Sequence, residues 1–347
     1  METPVLTATV SPSQTPPRLV KYLDERGLDV LFNRELKITP PREFNDPFEF
    51  WLSLPADLNR IKDELRKQLC LKDGFIRNTL QGMLSVKLQR NIADTEYEET
   101  MKKACSEPEK YRSEHEKFFK ALRNGFFDAA DQNFRLACFS KEPKDITSLK
   151  CEEIQQIQQG RMLMWSHYAM GHRGLVIEFD FTQQHSIKGW VLSESGDGNP
   201  FKVVYEPTPR EICIREFNEL NTRLFEILQR WAQGKSETWA YENEWRFIAK
   251  PDDSVSCWTT SRLVNGRLMD FMSLRAVEGK PATPYDEKEP IKAIRRVVIG
   301  CKAEPKFRAD VRRVLDAPAY RHVHIQEAKL LRREYGLEYE TIRPPAA

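Results

Sequence analysis

The sequence predicts an α+β protein, with a single mixed, mainly antiparallel sheet, flanking helices and a helical insertion lobe. Three observations carry that prediction. Short strand-like runs recur from residue 19 to residue 328, and helices fall among them without regular alternation, which disfavours a doubly wound sheet. Between about residue 54 and residue 131 charge rises and a helical period takes over. The phosphate-cradling patterns GxGxxG and GxxxxGKS/T do not occur in the sequence.

The elements follow in order. Residues 1–17 are rich in Pro, Ser and Thr and read as a disordered tail. The remainder, 18–347, reads as one α+β domain. LVKYL (19–23) alternates like a strand. Residues 24–35 suit a short helix, with Asp24 as its N-cap and Leu28, Leu31 and Phe32 on one face. LKITP (36–40) reads as a second strand, stopped by Pro40 and Pro41. The insertion contributes three or four helices. Strands are then expected at 134–140, 174–180, 201–206, 245–250, 294–300 and 322–328, with helices at 210–232 and 305–315. The strands up to residue 300 are expected to share one sheet.

Composition narrows the function classes. Among 347 residues, 54 are Lys or Arg and 52 are Asp or Glu, so the net charge of +2 exerts no global pull toward nucleic acid or membrane. Seven cysteines lie far apart, with no zinc-knuckle or CxxC spacing, and suit reduced thiols in a reducing compartment. The N-terminus lacks a signal-peptide pattern, and no stretch reaches the ~18 apolar residues of a membrane helix. A cytoplasmic protein without a membrane partner is therefore expected.

Three segments carry candidate chemistry. NDPFE (45–49) is an Asx-Pro turn that can also present the oxygens of Asn45, Asp46 and Glu49, with Phe44, Phe48 and Phe50 as anchors. In WSHYAMGHRG (165–174), Trp165, His167 and Tyr168 precede a turn in which Gly171 or Gly174 takes positive φ. His172 and Arg173 at its tip are read as solvated. In YENEWRF (241–247), Glu242, Glu244 and Arg246 share one parity while Trp245 and Phe247 face the other side. Two carboxylates on one face repel unless a cation or ligand meets them. Glu244 is expected to stay charged against Arg246 or Lys21, and Glu242 to be more exposed and to contact substrate.

These motifs, with LKITPPREFNDPFEF, CFSKE, FKVVYE and RRVVIG, resemble the bacterial domain-of-unknown-function family 2971 over most of residues 19–335. That family implies no established activity. In outline, the strand–helix–strand entry and a late Glu before a strand are also similar to ADP-ribosyltransferases. The resemblance implies a first position at Lys21, with Tyr22 beside it, a second at Thr39 or Ser140, and a third at Glu242 or Glu244. There the first two hold NAD, and the Glu stabilises positive charge on the ribose as nicotinamide leaves. Lys21 stands where such enzymes carry His or Arg.

The leading expectation is thus an NAD-using ADP-ribosyltransferase or NAD glycohydrolase, suited to a bacterial defence or toxin role. NAD is its substrate, no bound metal is expected, and the acceptor is a macromolecule, protein or nucleic acid. Glu242, Glu244, His167 and Tyr168 form the catalytic set, with Lys21, Tyr22, Asn45, Asp46, Ser140, Trp165 and Arg246 around the substrate. Two alternatives stay open. One is a metal-dependent nuclease or phosphoesterase using Asp46, His167, Glu242 and Glu244. The other is a non-catalytic sensor or interaction module that binds through its charged helices.

Overall fold

The computed structural model describes residues 18–50, 75–107, 110, 112–142, 151–181, 200–210, 220–249, 259–274, 291 and 293–345. The expected N-terminal tail, the start of the insertion at 54–74 and the helix segment 211–219 lie outside them.

The chain enters through β1 (Arg18–Leu23), α1 (Gly27–Asn33) and β2 (Glu35–Ile38). Helices α2 (Phe75–Leu88), α3 (Asp94–Ser106) and α4 (Arg112–Asn133) form the insertion. β3 (Arg135–Ser140), α5 (Cys151–Tyr168) and β4 (Leu175–Asp180) follow, then β5 (Phe201–Lys202) and β6 (Val204–Glu206). Next come α6 (Leu220–Gln233), β7 (Gly234–Ser236), a 3-10 turn (Glu237–Glu242) and β8 (Glu244–Ala249). The chain ends with β9 (Thr259–Val264), β10 (Arg267–Ser273), β11 (Ile294–Ile299), α7 (Pro305–Leu315), β12 (His324–Leu330) and β13 (Leu337–Arg343).

Eight strands make the main sheet, in the order β13-β12-β11-β4-β1-β3-β8-β5. Its pairs are antiparallel except β11 and β12, which α7 connects. The α+β class and the large mixed, mainly antiparallel sheet are therefore as the sequence predicts. Central strands bury both faces, which explains their near-continuous apolar runs. One face packs Leu19, Ile177, Phe179 and Val297 with Leu31 of α1 and Val311 of α7. The other packs Val20, Val176 and Val298 with Met164 and Trp165 of α5.

Several local expectations change. β2 leaves the main sheet and joins β10 and β9 in a three-stranded sheet, because β10 occupies its pairing edge from Ile38 to Glu35. A bridge between Thr39 and Leu136 keeps it beside β3. Asn265 and Gly266, both at positive φ, turn the β9–β10 hairpin, and this Asn-Gly pair was a legible signal that the expected elements omitted. The run 201–206 splits at Val203: β5 pairs with β8, and β6 pairs in parallel with β7. In α1, Val30 and Leu31 are buried while Phe32 is exposed, so the buried face runs through Gly27, Val30 and Leu31 and not through Phe32. Asp24 still organises the entry, its Oδ1 accepting the Arg26 backbone N–H at 2.9 Å.

The insertion docks on the site's flank through aromatic contacts. Trp231 of α6 meets Phe126 at 4.6 Å and Phe50 at 5.1 Å between ring centroids. The Arg42 backbone N–H donates to Asp131 Oδ1 at 2.8 Å, fixing the chain just before the NDPFE turn.

The turn after α5 is set by glycine. Gly171 takes positive φ at 62°, whereas Gly174 is not among the positive-φ glycines. Gly174 is needed for space: a Cβ there would lie 2.0 Å from the Leu23 carbonyl oxygen. Gly174→Ala is therefore expected to destabilise by about 3 kcal/mol through overpacking against backbone, whereas Gly171→Ala loses about 1 kcal/mol through left-handed strain. Urea unfolding of the two variants checks the order.

Candidate functional site

A cavity of about 540 Å3 opens between β1, β2, β3, α5 and the β9–β10 hairpin. Its floor is a buried ionic cluster. The left-handed Asn243 links the 3-10 turn to β8 and keeps Glu242 and Glu244 close together. Lys235 of β7 reaches both, with Nζ at 2.6 Å from Glu242 Oε2 and 2.8 Å from Glu244 Oε2. It also lies 3.3 Å from Glu49 Oε1. Arg246 donates from Nε to Glu244 Oε1 at 2.8 Å, from Nη2 to Glu244 Oε2 at 3.0 Å, and also to Glu49. A further bond, 2.7 Å to the Ala232 carbonyl, fixes that guanidinium against the end of α6.

Three carboxylates thus meet two cations, all of them buried. Burial alone would raise the Glu244 pKa, but Arg246 and Lys235 overcome it and hold the group well below the usual carboxylate range. Burial pushes Glu242 up despite Lys235, and Glu244 adds to the rise. Burial also raises Glu49, against the pull of Arg246 and Lys235. Tyr168 donates to Glu242 Oε1 at 2.6 Å, and Asn45 is a second hydrogen-bond partner of its hydroxyl. Burial, then the Glu242 charge, raises the Tyr168 pKa, so this phenol keeps its proton and stays a hydrogen-bond donor to the carboxylate.

The walls bring together many of the expected residues. Lys21, Tyr22, Asn45, Ser140, His167, Tyr168, Glu242 and Glu244 all line the cavity. Lys21 Nζ donates to the Cys138 carbonyl at 2.8 Å, and burial lowers its pKa. Ser140 sits opposite Glu244 on β8 and opposite Val20 on β1. His167 is exposed, with the rings of Trp239 and Tyr241 each 6.4 Å away.

Three expected residues do not line the wall. Asp46 is buried and its Oδ1 accepts the Phe48 backbone N–H at 2.9 Å, so it closes the NDPFE turn. Trp165 is wholly buried, edge-on to Tyr22 and bonded through Nε1 to the Tyr339 hydroxyl at 3.1 Å. Arg246 lies beneath the floor as the cluster's counter-charge, between the rings of Phe44 and Phe50. Three further corrections follow. Glu242 is not an exposed glutamate: it is as buried as Glu244, at 4% against 3%, because Lys235 and Tyr168 pull it inward. Phe48 is exposed rather than a core anchor, while Phe50 is buried and packs edge-on against Phe44. His172 is half-buried rather than solvated, its ring stacked on Trp165 at 6.2 Å.

Sequence reasoning missed Lys235, the hub of the cluster. It is a lone lysine between an amphipathic helix and a short strand, and no pattern marks it. Glu49 was legible as a turn oxygen but not as a third member of the cluster. Among the described residues, no group of three or more His, Cys, Asp or Glu side chains could hold a metal ion. Where Glu49, Glu242 and Glu244 converge, their counter-charge is the Lys235 ammonium.

Residues 164–247 match the model of a family described as "Protein of unknown function (DUF2971)". The stretch runs from Met164 through Phe247 and holds both the WSHYAMGHRG turn and YENEWRF, so the resemblance drawn from those motifs is supported there. No curated protein and no solved structure matches the chain. No helix among the described residues is long and apolar enough to cross a membrane.

Removing one partner of a buried ion pair strands the others, so Arg246→Met is expected to destabilise by about 3–5 kcal/mol in urea unfolding. The pH dependence has a defined sign. The folded Glu244 pKa lies below the ordinary 4.5, so its stabilisation is fully present above that value and lost as pH falls through the depressed one. Glu242 has the opposite sign: its contribution is greatest below 4.5 and is lost as pH rises toward the raised value. Unfolding free energy measured from about pH 3 to about pH 8 should lose part of its acid limb in Glu244→Gln, and part of its fall above the carboxylate range in Glu242→Gln.

Proposed function

We propose that the cavity is the active site of an NAD-using enzyme that breaks the bond between ribose and nicotinamide and passes the ADP-ribosyl group to an acceptor or to water. One observation carries the reading. Every position that the ADP-ribosyltransferase resemblance assigns, namely Lys21, Tyr22, Thr39, Ser140, Glu242 and Glu244, lines this one cavity. Four of these positions, Lys21, Tyr22, Ser140 and Glu244, sit on the neighbouring strands β1, β3 and β8.

The geometry divides the work between the glutamates. Both Glu244 oxygens are taken by Arg246 and Lys235, so its charge is spent inside the protein. Glu242 has one donor on each oxygen and faces the cavity. Glu242 is thus the carboxylate that meets positive charge developing on the ribose, a role the sequence alone gave to Glu244. Tyr168 and Lys235 hold that carboxylate in place before substrate arrives, which is how preorganised groups lower a barrier. His167 offers ring surface at the cavity wall for the nicotinamide or adenine ring, with Trp239 and Tyr241 each 6.4 Å from it.

The metal-dependent reading is less supported. Its carboxylates are already neutralised by Lys235 and Arg246, and Asp46 is spent on its own turn.

Nicotinamide release from NAD tests the proposal. Glu242→Gln keeps size and removes charge, and is expected to lower kcat by roughly a hundred-fold to a thousand-fold with little change in KM. Tyr168→Phe is expected to lower it by roughly ten-fold. Wild-type protein that releases no nicotinamide, with or without macromolecular extracts as acceptors, removes the proposal.

A further inference from the structure

A second cavity, of about 390 Å3, adjoins the first. Tyr22, Ser140, Met164 and Glu242 line both, and Glu242 is the charged residue of that shared wall. We infer that the two cavities are the two substrate chambers of a transferase, and that the smaller one receives the nucleobase of an acceptor. The inference rests on the NAD reading, which gives the larger chamber its substrate.

Size is the first argument. A water molecule takes about 30 Å3 of liquid, so hydrolysis needs only a small fraction of this space. The volume lies instead within the roughly 300–1,000 Å3 range of small-ligand sites.

The lining is the second argument. Lys141 and Arg161 are set against Glu142 and Glu153, and the remaining carboxylate, Glu242, is paired at 2.6 Å with Lys235 behind the shared wall, so the chamber offers little net charge to a cationic or anionic group. Glu142 is itself held ionised: burial would raise its pKa, but Arg296 and Arg161 bring it down, and Tyr22 donates to it at 2.9 Å. Gln156 and Asn243 bring amides, which carry donors and acceptors together. Tyr241 brings a ring face, and Trp239 and His167 continue that aromatic surface at 6.0 and 6.4 Å toward the larger chamber. A neutral planar ring that stacks on one side and presents donors and acceptors along its edge answers all of these features. A nucleobase is such a ring, whether in a free nucleoside or in a single strand.

The step balances without a further reactant. An amino or ring N–H of the base attacks C1′ of the ribose in the larger chamber. The new N–C1′ bond forms as the C1′–nicotinamide bond breaks, and that electron pair leaves on nicotinamide. The proton of the attacking group passes to the Glu242 carboxylate, which returns it to solvent.

The experiment uses the full chain with NAD labelled in its adenylate half. Separate reactions contain free nucleosides, mixed-sequence single-stranded DNA and RNA, or unfolded casein as the polypeptide arm, and nicotinamide release is followed in each. Label is expected on a base, and the nucleoside and single-strand arms show which source the site uses. Gln156 is exposed on α5 at the smaller chamber, so Gln156→Trp fills the chamber without disturbing the core. It is expected to lower base labelling about ten-fold relative to nicotinamide released in the same reaction. Gln156→Lys, which upsets the charge balance, gives a second readout should the Trp variant fold poorly. Nicotinamide release with no label on any base, label on casein alone, or a labelling ratio that neither variant changes overturns the inference and leaves the NAD reading in place. No release in any reaction overturns both.

Discussion

Two cations hold three carboxylates in the floor of the cavity, and the site depends on that balance. Buried charges of one sign separate or neutralise unless a counter-charge meets them. Lys235 and Arg246 meet Glu49, Glu242 and Glu244 from β7 and β8, and so tie the NDPFE turn to two strands and the end of α6. The aromatic rings of Phe44 and Phe50 against Arg246 and of Trp239 against Lys235 shield the cluster and add cation–π attraction.

The same balance gives the three carboxylates different chemistry. Glu244 is fixed as an anion by its guanidinium partner, whereas Glu242 and Glu49 are pushed toward holding a proton. Groups of one type whose environments separate their pKa values are a recurring basis for acid and base roles. Glu242 also borders both cavities, so it is the member of the cluster that can act on a ligand from either side. The Glu142 cluster stands behind it. Tyr22 lines the cavity wall yet spends its hydroxyl on Glu142, which Arg296 reaches at 2.8 Å and the Tyr339 hydroxyl at 3.2 Å. The Tyr22 hydroxyl is therefore tied to the Glu142 cluster while the residue lines both cavities.

The sequence by itself determined the α+β class, most of the strands, the bounds of α7 and the grouping of the NDPFE, WSHYA and YENEWR segments, because each rests on local periodicity, turn chemistry or i and i+2 parity. Parity placed Glu244 beside Arg246, and composition located the helical insertion. What needed the tertiary structure was every decision that joins distant segments. β2 went to the second sheet because β10, more than 200 residues later, competed for its edge. Trp165 and Asp46 looked like site residues from their neighbours, and packing drew one into the core and the other into its own turn. Lys235 has no local signature at all; it matters only because β7 sets its ammonium among carboxylates contributed by residues 49, 242 and 244. Coulombic partnership depends on distance in space, which spacing along the chain does not encode, so the different electrostatic settings of Glu242 and Glu244 were decided only when the fold set Lys235 against both.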